Sequence, residues 1–221
     1  MSNRLGILIS GRGSNLQSIA TAVQEGRLDA TIGVVISNRR EAAGLRLARS
    51  AGIEALWMNP RDYVDRAAYD LAIAGALQAR QIDWVCLAGF MRLVGSRLLE
   101  AFPDRILNIH PSLLPSFPGL DAQRQAFVHG VRVSGATVHL VTSELDNGPI
   151  VLQAAVPVLD ADTVETLSAR ILIEEHRIYP EAIRLVLNGG WAIDGRRFLR
   201  RMNSADAEKA IERRADSSQQ P

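Results

Sequence analysis

Two rhythms divide the chain. In some segments nearly every position is apolar, which predicts short strands covered on both faces. In others apolar residues recur every three or four positions, which predicts amphipathic helices. Residues 5–10 form an apolar run that ends in Gly11-Arg12-Gly13-Ser14-Asn15. Residues 16–24 then place Leu16, Ile19, Ala20 and Val23 on one helical face, with Gly26 as the stop. Further strands are predicted over 31–37, 54–58, 83–88 and 105–110. Helices are predicted over 42–51 and 62–80, with a helical turn over 98–102. Strands alternating with helices imply βαβ units and a parallel sheet.

Past Gly119 the style changes. Residues 122–129 read as a helix, and 135–141 and 149–158 as an antiparallel pair around a loop holding Asp146. Residues 163–187 are helical in pattern, with Pro180 expected to kink or break them. Residues 191–200 read as an amphipathic strand or hairpin, and from Asn203 the chain is polar and charged. The expectation is one domain over 1–202 followed by a disordered tail over 203–221. The fold class is α/β: a doubly wound, mostly parallel sheet with helices on both faces and an antiparallel C-terminal extension.

Composition narrows the function. The chain has 221 residues, 47% hydrophobic and 22% charged, which suffices for one sizeable core. A formal net charge of +1 gives no global attraction for nucleic acid or a membrane surface. No run approaches a membrane span and no leader is recognisable, so a cytoplasmic protein is expected. Cys86 is the single cysteine, which excludes an internal disulfide; inside an apolar strand it reads as inert packing. The histidines His110, His129, His139 and His176 are dispersed, and no metal-ligand spacing appears.

The chemistry concentrates at Asn108-Ile109-His110-Pro111. Asn108 and His110 stand two apart at a strand end, so both side chains share one face. Pro111 and Pro115 then force a rigid, extended exit. Asp146 follows in the turn Leu145-Asp146-Asn147-Gly148-Pro149. An amide, an imidazole and a carboxylate suit acyl chemistry: one polarises a carbonyl, one moves a proton, one tunes the proton mover. Taken singly, Asp146 reads as a turn residue and His110 as a satisfied core histidine. His139 sits in mid-strand, where a supporting hydrogen bond and plain packing weigh equally. His129 and His176 read as surface residues.

The first loop has a phosphate-binding layout, with glycines for close backbone approach and free helix N–H groups beyond them. Ser14 or Asn15 can cap that helix. Leu16 stands where a dinucleotide fingerprint needs its third glycine, and no Walker lysine follows. A tight turn without ligand is the alternative; the place of the loop after the first strand favours a ligand. Ala88-Gly89-Phe90-Met91-Arg92-Leu93-Val94 reads either as core spill-over or as a slot for a flat heteroaromatic ring. Arg66 and Glu174-Glu175-His176 read on their own as solvated helix faces.

Together Gly13-Ser14-Asn15-Leu16, Ala88-Gly89-Phe90-Met91-Arg92, Asn108-Ile109-His110-Pro111-Ser112-Leu113-Leu114-Pro115 and Leu145-Asp146-Asn147-Gly148-Pro149 resemble the folate-dependent formyltransferase family. The Gly-Ser-Asn loop resembles its phosphoribosylglycinamide formyltransferase branch in particular. The similarity runs from about Leu5 to about Leu187. It implies formyl transfer from 10-formyltetrahydrofolate to the amine of phosphoribosylglycinamide, without a metal, by a monomer or homodimer whose only partners are small molecules. By resemblance Asn108, His110 and Asp146 are catalytic, and Gly13, Ser14, Asn15, Glu174 and Glu175 bind the phosphorylated acceptor. Arg66 meets the glutamate tail of the folate. Met91, Arg92, Leu93 and Val94, with Asn108 and with Thr142, Ser143, Glu144, Leu145 and Asp146, surround its ring through backbone groups. Asn108 and a protonated His110 would hold the oxyanion, Asp146 raising the pKa of His110. The rivals are a formyltetrahydrofolate deformylase on the same core and a non-catalytic phosphate-metabolite module. A tRNA formyltransferase is expected to carry a further C-terminal domain, and the deformylase a further domain before the first strand.

Overall fold

Helical crossovers join the first five strands and set them parallel. The computed structural model describes residues 2–200; the expected tail over 203–221, and the domain end at 202, lie outside the described residues. The order is β1 (Asn3–Ile9), α1 (Ser14–Gln24), β2 (Ala30–Ser37), α2 (Ala43–Ser50), β3 (Ala55–Trp57), α3 (Arg66–Gln78), β4 (Trp84–Leu87), α4 (Ser96–Ala101) and β5 (Ile106–His110). Then follow α5 (Ala122–His129), β6 (Val133–Leu140), β7 (Ile150–Pro157), α6 (Val164–Leu187), β8 (Trp191–Asp194) and β9 (Arg197–Arg200). The helix expected over 62–80 starts later, because Asn59 caps a separate 3-10 turn at Pro60–Asp62 and Asp65 caps α3 through Ala68 N–H at 2.7 Å.

All nine strands form one sheet in the order β3-β2-β1-β4-β5-β6-β7-β9-β8. β1 pairs in parallel with both β2 and β4, so the chain winds one way from β1 and then the other. Such a reversal opens a crevice at the carboxyl ends of the strands, where α/β sheets bind ligands. β5 pairs antiparallel with β6, β6 with β7, and β8 with β9.

The alternation along each strand separates two cores. Leu5, Ile7 and Ile9 of β1 and Cys86 of β4 pack with α1, α2 and α6. Leu8, Val85 and Leu87 pack on the opposite face with α3 and α4. On β5, Leu107 and Ile109 belong to the first core and Ile106 to the second. By the period of two, Asn108 and His110 emerge on the α3–α4 face.

The expectation that Pro180 breaks α6 is corrected: the helix runs unbroken from Val164 to Leu187. A proline inside a helix costs ~3 kcal/mol. Leu167, Ile171, Ile178, Tyr179 and Ile183 are fully buried on the same helix, each stabilising by roughly 1.5–3 kcal/mol, which outweighs that cost. A capping box between Thr163 and Thr166 fixes its start. The segment over 191–200 is a hairpin; Trp191 stacks on Phe198 and donates from Nε1 to Val186 O at 2.9 Å.

Tyr179 ties α6 to the strand pair that carries the site. Its hydroxyl is shared between Leu87 O at 3.0 Å and Leu107 O at 3.1 Å. Replacing Tyr179 by Phe should lower unfolding stability by about 1–2 kcal/mol in urea titration, since it removes the hydroxyl partner of both buried carbonyls. An unchanged midpoint would show that this bridge contributes nothing.

Candidate active site

The pairing of β5 with β6 sets Asn108 directly across from His139 and His110 across from Thr137. Cross-strand neighbours share a face, so His139 joins the two residues two apart on β5. Asn108 Nδ2 lies 3.1 Å from His139 Nε2, and His139 Nδ1 lies 2.9 Å from Leu140 O. The carbonyl requires Nδ1 to carry the proton, so Nε2 accepts from the amide. His139 thereby fixes which end of the Asn108 amide faces which way and leaves the second N–H of Nδ2 free.

His110 is anchored from the other side. Its Nε2 donates to Phe117 O at 2.9 Å, which leaves Nδ1 facing Asp146 Oδ2 at 3.5 Å. The segment between them is fixed by polar contacts. Thr137 Oγ1 donates to Ser112 O at 2.7 Å and accepts from Leu114 N–H at 3.1 Å. Gln153 Nε2 donates to Leu114 O at 3.0 Å, and Ser112 Oγ donates to Ser116 O at 2.6 Å. Asp146 takes a positive φ of 50°, and its Oδ2 accepts from Gly119 N–H at 2.8 Å. Its Oδ1 lies 3.7 Å from His139 Nε2. The three polar groups expected to meet therefore do meet, with His139 as a fourth.

The electrostatics differ from expectation in one respect. Asp146 does push the pKa of His110 upward, but burial of the ring pushes it down and prevails, so the net direction is downward. The imidazole is almost wholly buried, and its Nδ1 stands beyond hydrogen-bond length from the carboxylate, so desolvation outweighs the charge. Burial raises the pKa of Asp146, yet the adjacent His139 ring, the hydrogen bond from Gly119 N–H and the charge of His110 together hold it below the ordinary value.

The first loop follows β1, two strands from β5 in the same parallel set. Gly13 has φ 81° and packs so closely on Gly44 that a Cβ there would lie 2.7 Å from Gly44 Cα. Neither Ser14 nor Asn15 caps α1, contrary to expectation. Asn15 Nδ2 donates instead to Glu175 Oε2 at 2.7 Å, and Gln17 N–H is the first to turn back, onto Gly13 O. The N–H groups of Ser14, Asn15 and Leu16 precede that first helical bond, the arrangement that receives an anion. Glu175 is buried, which raises its pKa, while Asn15 and the charge of Arg12 lower it. Glu174 is a correction: it turns away to Arg177, whose Nε donates to it at 2.8 Å, and only Glu175 reaches the loop. His176 is also not a plain surface residue, for its Nε2 is buried without a partner among the described residues.

The loop after β4 is held from two sides. Ser10 Oγ donates to Asn38 Oδ1 at 2.6 Å and accepts from Met91 N–H at 2.8 Å. The Met91 N–H is thus committed within the protein, against the expectation that it meets a ring. At the far end Gly95 N–H donates to buried Asp70 at 2.8 Å, and Arg66 lies 4.0 Å from the same carboxylate. Met91 and Leu93 here, and Leu145 on the opposite loop, are more than half exposed. These exposed apolar side chains, on the loop after β4 and beside Asp146 in sequence, suit a flat ring. Val94 packs instead into the α3–α4 core. Across the gap, Thr142 Oγ1 donates to Glu144 O at 3.4 Å, Asn147 bonds Glu144, and Ser143 is exposed. Sequence reasoning missed Ser10, Asp70, Gly44 and Thr137. Their only signal was polar or minimal size inside apolar segments. Among the described residues no group of three or more His, Cys, Asp or Glu side chains is placed to hold a metal ion.

Comparison with known proteins gives one picture. Residues 3–183 match the model of the formyl transferase family. Phosphoribosylglycinamide formyltransferase of Escherichia coli is 43% identical over 190 residues, covering 86% of this chain and 87% of that enzyme. The human trifunctional purine biosynthetic protein adenosine-3 is 47% identical over 186 residues; the chain spans only 18% of its length. The crystal structure of glycinamide ribonucleotide transformylase 1 from Symbiobacterium toebii superposes with a TM-score of 0.88 at 61% identity, over 90% of this chain and 93% of that one. With its sequence matched from β1 into α6, the chain belongs to the formyl transferase family.

Proposed function

We infer that the chain transfers the formyl group of 10-formyltetrahydrofolate to the amine of 5'-phosphoribosylglycinamide, the formyl transfer of purine biosynthesis. The observation that carries this reading is the convergence of Asn108, His110, His139 and Asp146, on a sheet whose first loop can receive an anion. The phosphate rests on the N–H groups of Ser14 and Asn15 behind Gly13, and Glu175 accepts from the ribose hydroxyls. The folate ring lies between Met91–Val94 and Thr142–Asp146, with Arg66 and Arg92 toward its glutamate. The same reading places the enzyme in the cytoplasm, acting on small molecules as a monomer or homodimer.

The acceptor nitrogen attacks the formyl carbon; a C–N bond forms and the carbonyl oxygen becomes an oxyanion. The free N–H of Asn108 and a proton on His110 Nδ1 donate to that oxygen. Collapse breaks the bond to the folate nitrogen, which leaves with a proton taken from the attacking amine. His110, or a water held by Asp146, carries that proton. Because Nε2 is tied to Phe117 O, Nδ1 is the atom of His110 that exchanges it.

Asn108→Ala or His110→Ala should lower kcat by about 10²–10³-fold with small changes in acceptor KM, as loss of an oxyanion donor typically does. Formyl transfer at the wild-type rate in either variant would end the assignment. Release of formate without acceptor, as fast as transfer with it, would instead assign a deformylase.

Asp146→Asn removes the one nearby charge that favours protonated His110. The already lowered pKa of His110 should fall further, and the pH–rate limb set by its protonated form should move to lower pH. The variant should therefore lose more activity at pH 8 than at pH 6, and a rate ratio to wild type that stays constant across pH would remove this role. Glu175→Ala should raise acceptor KM about tenfold, the effect of one lost charge-assisted hydrogen bond, with kcat nearly kept. A fall in kcat with unchanged KM would move Glu175 out of the acceptor site.

A further inference from the structure

We propose that one face of α5, formed by Gln125 and His129, clamps the segment from Phe117 to Leu120 and thereby sets the spacing between His110 and Asp146. This role presupposes the catalytic reading of that pair and adds residues that the reading does not use. Both side chains are anchored on the same short stretch of backbone. His110 Nε2 donates to Phe117 O at 2.9 Å, and two residues further on Gly119 N–H donates to Asp146 Oδ2 at 2.8 Å. The 3.5 Å between His110 Nδ1 and Asp146 Oδ2 therefore follows from where that stretch lies.

The stretch does not take its shape by local preference. Phe117 has φ 55°, Gly119 has φ 82° and Asp121 has φ 55°, so left-handed residues alternate along it and two of them carry a side chain. That region disfavours a bulky residue, and Phe117 also precedes Pro118, which narrows its choices further. Such a backbone persists only where its surroundings impose it, and strain of this kind gathers at active sites. Here α5 imposes it. Gln125 Nε2 donates to Leu120 O at 2.7 Å and to Pro118 O at 3.3 Å. One turn later on the same helix face, the His129 ring meets the Phe117 ring edge-on, with 5.6 Å between centroids and 65° between planes. From the other side Ser112 Oγ donates to Ser116 O at 2.6 Å and to Phe117 O at 3.3 Å. Gln125 and His129 are exposed, and Ala122 and Ala126 are the buried residues of α5. The packing of the helix thus needs neither polar side chain; what they touch is the strained segment.

The experiment compares the wild type with Gln125→Leu/His129→Ala by steady-state formyl transfer and by nitrogen NMR of the His110 imidazole, both on the full chain. In the wild type the bond to Phe117 O keeps the proton of the neutral ring on Nε2. Once the segment is released the ring samples both tautomers, and Nδ1 is no longer always the free nitrogen. The His110 nitrogen signals of the double variant should move toward those of a tautomer mixture. Its kcat should fall about tenfold with both KM values nearly kept, since small displacements of reacting groups are costly. His129→Phe, which preserves an aromatic contact with Phe117, should keep most of the activity that His129→Ala loses. Placed on His110→Ala, the same double substitution should lower kcat little further, because a positioning residue then has nothing left to position. Unmoved His110 signals in the double variant, whether or not kcat falls, overturn the proposal. So does a raised KM with kcat kept, which would make α5 a substrate-contact surface. A full tenfold further loss on His110→Ala would show general loosening of the fold and overturn it too. Wild-type transfer in His110→Ala alone would strike the formyl-transfer reading instead, while the NMR signals still judge the clamp.

Discussion

The antiparallel register between β5 and β6 is the constraint on which the rest of the site depends. The connection over 111–132, which includes α5, brings β6 back antiparallel and sets His139 opposite Asn108. That one pairing supplies the base that orients the amide. It also supplies Thr137, which fixes the Pro111–Pro115 segment, and it delivers Asp146 at the end of the following loop. A slip by one residue would turn all of these to the α6 face, where the core has no room for them.

Within that frame two opposing effects set the state of His110. Burial favours the neutral ring, and Asp146 favours the charged one; burial prevails. In the proposed reaction an oxyanion at Nδ1 would add a second negative charge where Asp146 is too distant to complete a hydrogen bond. On that proposal the electrostatic gain would fall on the species that forms during reaction, which is the condition for rate enhancement rather than tight ground-state binding.

Much of this was legible in the residues. The apolar runs located the strands to within a few positions, because strands covered on both faces permit no polar alternation. The pair Asn108 and His110 was visible because polar side chains in such a run need a reason. The partners were not, since Ser10, Thr137 and Asp70 gain meaning only from contacts 25 to 81 residues away. Pro180 misled for a related cause: its local penalty is fixed, whereas the burial that overrides it is set by the whole sheet. Glu174 and Glu175 were indistinguishable as neighbours; the helix turns them about 100° apart, and only one faces Asn15.

Ser10 has a consequence for how the two halves of the active centre move. Its single hydroxyl proton goes to Asn38, and its lone pair takes the Met91 amide, while its own N–H is held by Gly89 O at 3.0 Å. The backbone beyond it is the anion loop. Any excursion of the loop after β4 must therefore either break a partly buried hydrogen bond or drag the root of the Gly13 loop along. The two loops are mechanically one piece, joined through a side chain of two heavy atoms.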